Sequence, residues 1–136
     1  MAKKTLTFLM MDAPFESPRT ATAFRLLEIC AERGHDVNVF AYEGAVALPF
    51  SKQKPHANAV HGHDVDEEEH PLPKDWVAGL QNKFADKGGK LEWTNCGLCV
   101  DERGVGEAID GIGRGTPGDH WKWAESSDNT LVIGTK

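Results

Sequence analysis

The sequence predicts an α/β fold, a three-layer α/β/α sandwich around a mostly parallel sheet of about five strands. Two observations carry that prediction. The run Thr5-Leu6-Thr7-Phe8-Leu9-Met10-Met11 is short and nearly continuous in apolar character, as a strand covered on both faces must be. An amphipathic stripe then follows, with Ala23, Leu26, Leu27, Cys30 and Ala31 at three- and four-residue spacings, before a second apolar run, Asp36–Tyr42. A strand, a helix and a strand in that order form a right-handed crossover, which pairs the two strands in parallel. A chain of 136 residues has the length of one domain, residues 1–136, large enough to bury a core of its own.

The remaining elements follow in order. Ser17 is placed to cap the first helix with Pro18 at its first position, and Gly34 ends it. From about residue 44 to 73 the periodicity is lost, and a long loop rich in His and acidic residues is expected, including Asp64-Val65-Asp66-Glu67-Glu68-Glu69. Regular structure resumes with a helix over Asp75–Phe84 that presents Trp76, Leu80 and Phe84 and stops at Gly88-Gly89. Lys90–Thr94 reads as the third strand, and a short helix begins near Cys96 and closes at Arg103-Gly104-Val105. Another turn is expected between Val105 and Asp110, then a short strand or loop at Gly111–Gly115. A last helix over Gly118–Ser126 carries Trp121 and Trp123 on opposite sides, and Leu131-Val132-Ile133 is the final strand.

Composition removes several function classes. A formal charge of −6 argues against direct nucleic-acid binding, which asks for a basic face. No apolar run reaches the roughly 18 residues of a membrane helix, and the opening Met1-Ala2-Lys3-Lys4-Thr5 leads into too short an apolar stretch for a signal peptide. A cytoplasmic protein without a membrane partner is the expectation. Three cysteines are an odd number, so a fully paired disulfide framework is excluded. In a reducing compartment a C-x-x-C pair reads as catalytic or metal-binding before it reads as structural.

That pair is Cys96-Gly97-Leu98-Cys99, directly after the third strand. Thiols on the first turn of a helix face free backbone N–H groups, and such a setting favours thiolate. Ligands of parallel sheets also gather beyond the carboxyl ends of the strands, where Cys96 and Asp12 both lie. Against these stands the plain alternative of two small buried core residues. Zinc would need two more ligands, and no second C-x-x-C exists while Cys30 belongs to the buried stripe of the first helix. A thioredoxin-type oxidoreductase carries its pair after an earlier strand and ahead of a long helix, whereas Gly104 cuts this helix short. An acceptor of sulfane sulfur or a redox-sensing thiol remains.

These segments resemble a known family. Thr5–Tyr42 with its Glu32-Arg33-Gly34-His35-Asp36-Val37 helix exit, Asn95–Val105, and Gly118–Gly134 are similar to the DsrE/DsrF-like sulfur-relay family, which includes the TusD-type sulfurtransferase subunit. Cys96 stands eight residues before Gly104, and Cys96, Cys99, Arg103 and Gly104 form the C-x-x-C-x-x-x-R-G pattern of many relatives. The likeness spans the chain apart from residues 44–73. It implies a persulfide carrier, with Cys96 accepting sulfane sulfur and passing it to a partner thiol, in sulfur-compound oxidation or in a thiolation pathway. It implies Cys99 as a helper, which releases sulfur through a Cys96–Cys99 disulfide or serves as a second relay position. Gly97 would let a partner's thiol approach the backbone, and Arg103 would hold an anionic persulfide or else make an ordinary ion pair. A TusA-like or rhodanese donor, a DsrC-like acceptor and a homotrimer or hexamer are the implied partners. A non-catalytic interaction or metal-binding module with a structural C-x-x-C is the competing class, beside a thiol redox sensor.

Other residues carry less. His61, His63 and His70 offer imidazoles to a metal, though the bland reading is a solvated insertion. Asp12 and Glu16 sit in the first strand–helix loop, where solvated carboxylates are ordinary. The four tryptophans suit packing and subunit contacts. No glycine-rich phosphate loop follows the first strand, and no cofactor is expected.

Overall fold

The computed structural model describes residues 2–67 and 71–135. Ten elements follow along the chain: strand β1 (Thr5–Met10), helix α1 (Pro18–Glu32), β2 (Asp36–Ala41), a 3₁₀ helix (Glu43–Ala47), α2 (Pro73–Lys87), β3 (Leu91–Cys96), α3 (Gly97–Arg103), β4 (Ile112–Gly115), α4 (Pro117–Ser126) and β5 (Asn129–Ile133). The five strands form one sheet in the order β4-β3-β2-β1-β5, and every pairing is parallel. The expected α/β fold with a parallel sheet is the observed one.

Register fixes which side chains share a face. Leu131, Phe8, Val39, Trp93 and Ile112 stand side by side across all five strands. They pack with Ala23, Phe24 and Leu27 of α1 and with Val77, Leu80 and Phe84 of α2. The opposite face carries Leu9 and Phe40, covered by Trp123 of α4 and by the ring of His120, 5.7 Å from that of Phe40. α4 covers its face thinly: none of its residues is buried, Trp121 is 65% exposed, and Val132 of the edge strand β5 is 60% exposed.

The Glu-Arg-Gly-His-Asp-Val stretch does its work here. Gly34 takes φ +73°, which turns the chain out of α1, and its N–H donates to the Ala31 carbonyl. His35 is buried and its Nδ1 accepts from the Lys4 N–H at 3.1 Å. Asp36 Oδ1 accepts from the Lys90 N–H at 2.8 Å, tying β2 to the start of β3. These residues set strand entry and exit at the end of the sheet away from the cysteines.

Residues 44–73 differ from expectation at their start. Ala45, Val46 and Leu48 are completely buried, in a 3₁₀ helix and the turn after it that plug the carboxyl end of the sheet. Five residues at three per turn give no helical periodicity to read, so the sequence shows only a loss of pattern. The exposed part starts later and includes the Asn58–His63 bridge. His61 and His63 lie with ring centroids 6.1 Å apart, and Asn58 Nδ2 contacts His61 Nδ1 at 3.1 Å. His70, the third imidazole considered for a metal, lies outside the described residues, among which no cluster of three or more His, Cys, Asp or Glu is positioned for a metal ion. No described helix is long and apolar enough to cross a membrane.

Candidate functional site

β3 delivers Cys96 as its last residue, and Cys96 is at the same time the residue before the first turn of α3. Its neighbour across β4 is Gly115, and the preceding pair is Asn95 with Arg114. Gly104, at φ +65°, ends α3 after seven residues. The helix is therefore a short bracket whose purpose is local: it brings Cys99 back over the strand end. Cys96 is 1% and Cys99 5% exposed, and both pack with Phe40 and Val46, with Tyr42, Val100 and Val105 around them.

The two thiols sit in one packed cluster, and Cys96 is among the neighbours that act on the Cys99 thiol. Burial, then the adjacent Cys96 thiol and the charge of Glu43, push the Cys99 thiol up to about 11, against a single opposing contact, the Glu43 N–H, which donates to Cys99 Sγ at 3.3 Å. The expectation that the first helical turn favours thiolate at both positions thus fails for Cys99. Removal of a thiolate from water outweighs the pull of a few backbone amides in so short a helix.

Glu43 is the residue that the sequence did not single out. It holds φ +50°, a left-handed conformation that carries a cost for a side chain with a Cβ. That conformation turns its N–H onto Cys99 while its carboxylate meets Arg103, Oε2 to Nη2, at 2.9 Å. Arg103 is therefore in an exposed ion pair, and its link to the thiols runs through Glu43. Gly44 must follow, since a Cβ there would stand 2.8 Å from Ala13 Cβ and 2.9 Å from Ala13 N.

Arg114 was also missed. Its Nη2 donates to the Gly97 carbonyl at 3.0 Å and pairs with Asp101, so its side chain lies across the backbone next to Cys96. A Cβ on Gly97 would be 2.7 Å from Arg114 Nε. The space expected to admit a partner's thiol at Gly97 is thus filled by arginine. A weak signal existed in the sequence, Gly113-Arg114-Gly115, where glycines on both sides leave one long side chain in an edge strand.

Two of the cavities at this end of the sheet are lined by the candidate residues. One, about 310 Å³, is lined by Cys96, Gly97, Leu98, Arg114, Gly115, Thr116 and Pro117. The other, about 300 Å³, is lined by Asp12, Glu16, Ser17, Gly44 and Arg103 among others. Asp12 is buried and accepts a hydrogen bond from the Ser17 hydroxyl. The topology does bring Asp12 to the same edge as the cysteines, yet it faces a different cavity from Cys96. An apolar cleft of about 420 Å³, at Trp76 and Leu80 between α1 and α2, lies away from both.

Comparison with known proteins follows the same lines. The family model of the DsrE/DsrF-like family matches residues 4–133. An uncharacterized protein of Methanopyrus kandleri is 27% identical over 130 residues, covering 94% of this chain and 93% of its own length. The crystal structure of the ychN protein from E. coli superposes with a TM-score of 0.72 at 21% identity, over 95% of this chain and 98% of that one. A conserved protein of unknown function from Bacteroides thetaiotaomicron does so with a TM-score of 0.58 at 14% identity, over 95% and 94%. At those identities the two structures speak to the fold alone.

Proposed function

The chain belongs to the DsrE/DsrF-like family, and from that premise we propose that it is a sulfur carrier which takes sulfane sulfur as a persulfide on Cys96 and passes it to a partner thiol. One observation supports this reading above others: Cys96 ends β3 at the carboxyl edge of the sheet and lines a cavity there, with Cys99 packed in the same cluster and its thiol pushed up by burial. Burial keeps the Cys99 thiol protonated at neutral pH, which argues against Cys99 as the attacking thiolate.

In the loading step the Cys96 thiolate attacks the outer sulfur of a donor persulfide, R–S–SH. A new S–S bond forms on Cys96, the donor's S–S bond breaks, and its electron pair and the proton leave with R–SH. In unloading, an acceptor thiolate attacks the outer sulfur in turn. Attack by Cys99 on Cys96 Sγ instead would expel hydrosulfide and leave a Cys96–Cys99 disulfide, for which the pair is already in contact. The donor in this reading is a TusA-like or rhodanese protein and the acceptor a DsrC-like one, in the cytoplasm, with a homotrimer or hexamer as the working assembly.

Incubation with a sulfane donor followed by mass spectrometry tests it. The protein gains increments of about 32 Da, one sulfur each, that a reductant removes and that Cys96→Ser abolishes. A second reading, a thiol redox sensor, draws on the same Cys96–Cys99 contact. It predicts a reversible disulfide with no gain of sulfur.

A further inference from the structure

The cavity beside Cys96 has a chemical character that the carrier reading does not require. The chain carries a net charge of −6, yet the residues that line this cavity include a guanidinium and no acidic side chain; the carboxylates that bear on it are Asp101, on that guanidinium, and Asp119, on Thr116. Carboxylates gather instead in the neighbouring cavity with Asp12 and Glu16. Arg114 is held in place from two sides, by the Gly97 carbonyl and by Asp101. Its pair with Asp101 is exposed, at 56% and 64% of the two side chains, so water already screens it and an entering anion can exchange with Asp101 at little cost. The Thr116 hydroxyl on the cavity wall donates to Asp119 Oδ2 at 3.3 Å in the cap of α4, which leaves Arg114 as the anion-binding group. A volume of about 310 Å³ sits at the small end of the pockets that hold small molecules, roughly 300–1,000 Å³.

Resting on the persulfide-carrier reading, we propose that Cys96 is loaded directly by a small anionic sulfane-sulfur compound, which enters this cavity and is oriented by Arg114. Inorganic polysulfide is the simplest member of the class. With hydrodisulfide the step balances as Cys96–S⁻ plus HS–S⁻ giving Cys96–S–S⁻ plus HS⁻. The Cys96–sulfur bond forms, the donor S–S bond breaks with its electron pair on the leaving sulfur, and the proton ends on hydrosulfide. No oxidant enters. Arg114 touches the substrate and offsets the repulsion between two anions, which otherwise slows the attack of thiolate on an anionic donor.

Alkylation of Cys96 by anionic iodoacetate and neutral iodoacetamide, followed by peptide mapping, measures the anion preference. Arg114→Gln lowers the iodoacetate-to-iodoacetamide rate ratio at least threefold with the iodoacetamide rate unchanged, which also reports an intact fold. Arg114→Lys keeps most of the ratio, and Asp101→Asn raises it. Inorganic polysulfide then loads Cys96 without any donor protein, at least threefold more slowly in Arg114→Gln. A ratio indifferent to Arg114, or both reagents speeding up equally when it is removed, overturns the proposal. Equal polysulfide loading of wild type and Arg114→Gln overturns it while leaving the carrier reading in place. An Arg114-dependent anion preference with no sulfur gained from polysulfide overturns the donor assignment, and the carrier reading falls with it only where a persulfidated donor protein also fails to load Cys96.

Discussion

At the scale of single residues the two thiols differ in their surroundings, and the difference is testable by pH. Cys99 ionises near 9 when unfolded and near 11 in the fold, mainly because burial penalises its charged form. A raised pKa means that the folded state holds this proton more tightly. The associated stability is fully present below about pH 9 and is lost as pH rises toward 11. Thermal melts between about pH 8 and pH 11 check this: the wild type loses more stability over that window than Cys99→Ser does. Burial also raises Cys30, whose loss in the same direction is common to both proteins. At pH 7 to 8, peptide mapping after iodoacetamide treatment finds Cys96 modified ahead of Cys99, and the order narrows as pH approaches about 11.

The same residues show what the sequence could and could not disclose. Cys96 and Cys99 were legible because they are close in sequence and follow a strand whose end is a natural site. Glu43 was not, because its contact with Cys99 spans 56 positions and depends on a left-handed backbone that no side-chain pattern announces. Arg114 contacts Gly97 across 17 positions through a parallel pairing of β3 with β4, and β4 has only four residues. Sequence reasoning finds residue types; it does not find the partner that a crossover brings in.

At the scale of elements, the site depends on pieces too short to stand alone. The seven-residue α3 and the 3₁₀ helix before it hold each other, with Asn95 Nδ2 donating to the Val46 carbonyl at 3.2 Å beneath them. Isolated helices of this length do not form in water, so tertiary packing makes them. Gly44 is the tightest joint of that assembly. Gly44→Ala forces its new methyl against the backbone of Ala13, and destabilises by about 1–3 kcal/mol, read as a lower midpoint in urea. Because Glu43 is next to it, the same variant also weakens the N–H contact to Cys99 and slows Cys96 loading. α1, by contrast, was readable to its ends: Ser17 Oγ accepts from the Arg19 N–H at 3.2 Å, Pro18 follows, and Gly34 turns the chain out. Ser17→Ala costs roughly 1 kcal/mol through the lost cap and leaves Asp12 without its hydroxyl donor.

For the whole molecule, the sheet order follows from crossovers that a sequence reveals only in part. The strand–helix alternation gave the parallel pairing of β1 with β2, but nothing in the chain announced that β5 returns beside β1. Trp93 sits at the middle of the main core, 2% exposed and 6.2 Å from Phe24 ring to ring. Trp93→Ala therefore costs about 3–5 kcal/mol, the range for a large aromatic removed from a packed core. The thin cover of the opposite face, with Trp121 and Val132 exposed, suits burial in an assembly. Sedimentation velocity is expected to return a trimer or hexamer, with Trp121→Glu shifting it toward smaller species.

The central claim is that sulfur travels on Cys96 with Cys99 as its helper. The most direct measurement is the mass of intact protein after exposure to a sulfane donor, for wild type, Cys96→Ser and Cys99→Ser side by side. The account predicts reductant-sensitive increments of about 32 Da in wild type and in Cys99→Ser, and none in Cys96→Ser. Normal loading of Cys96→Ser contradicts it.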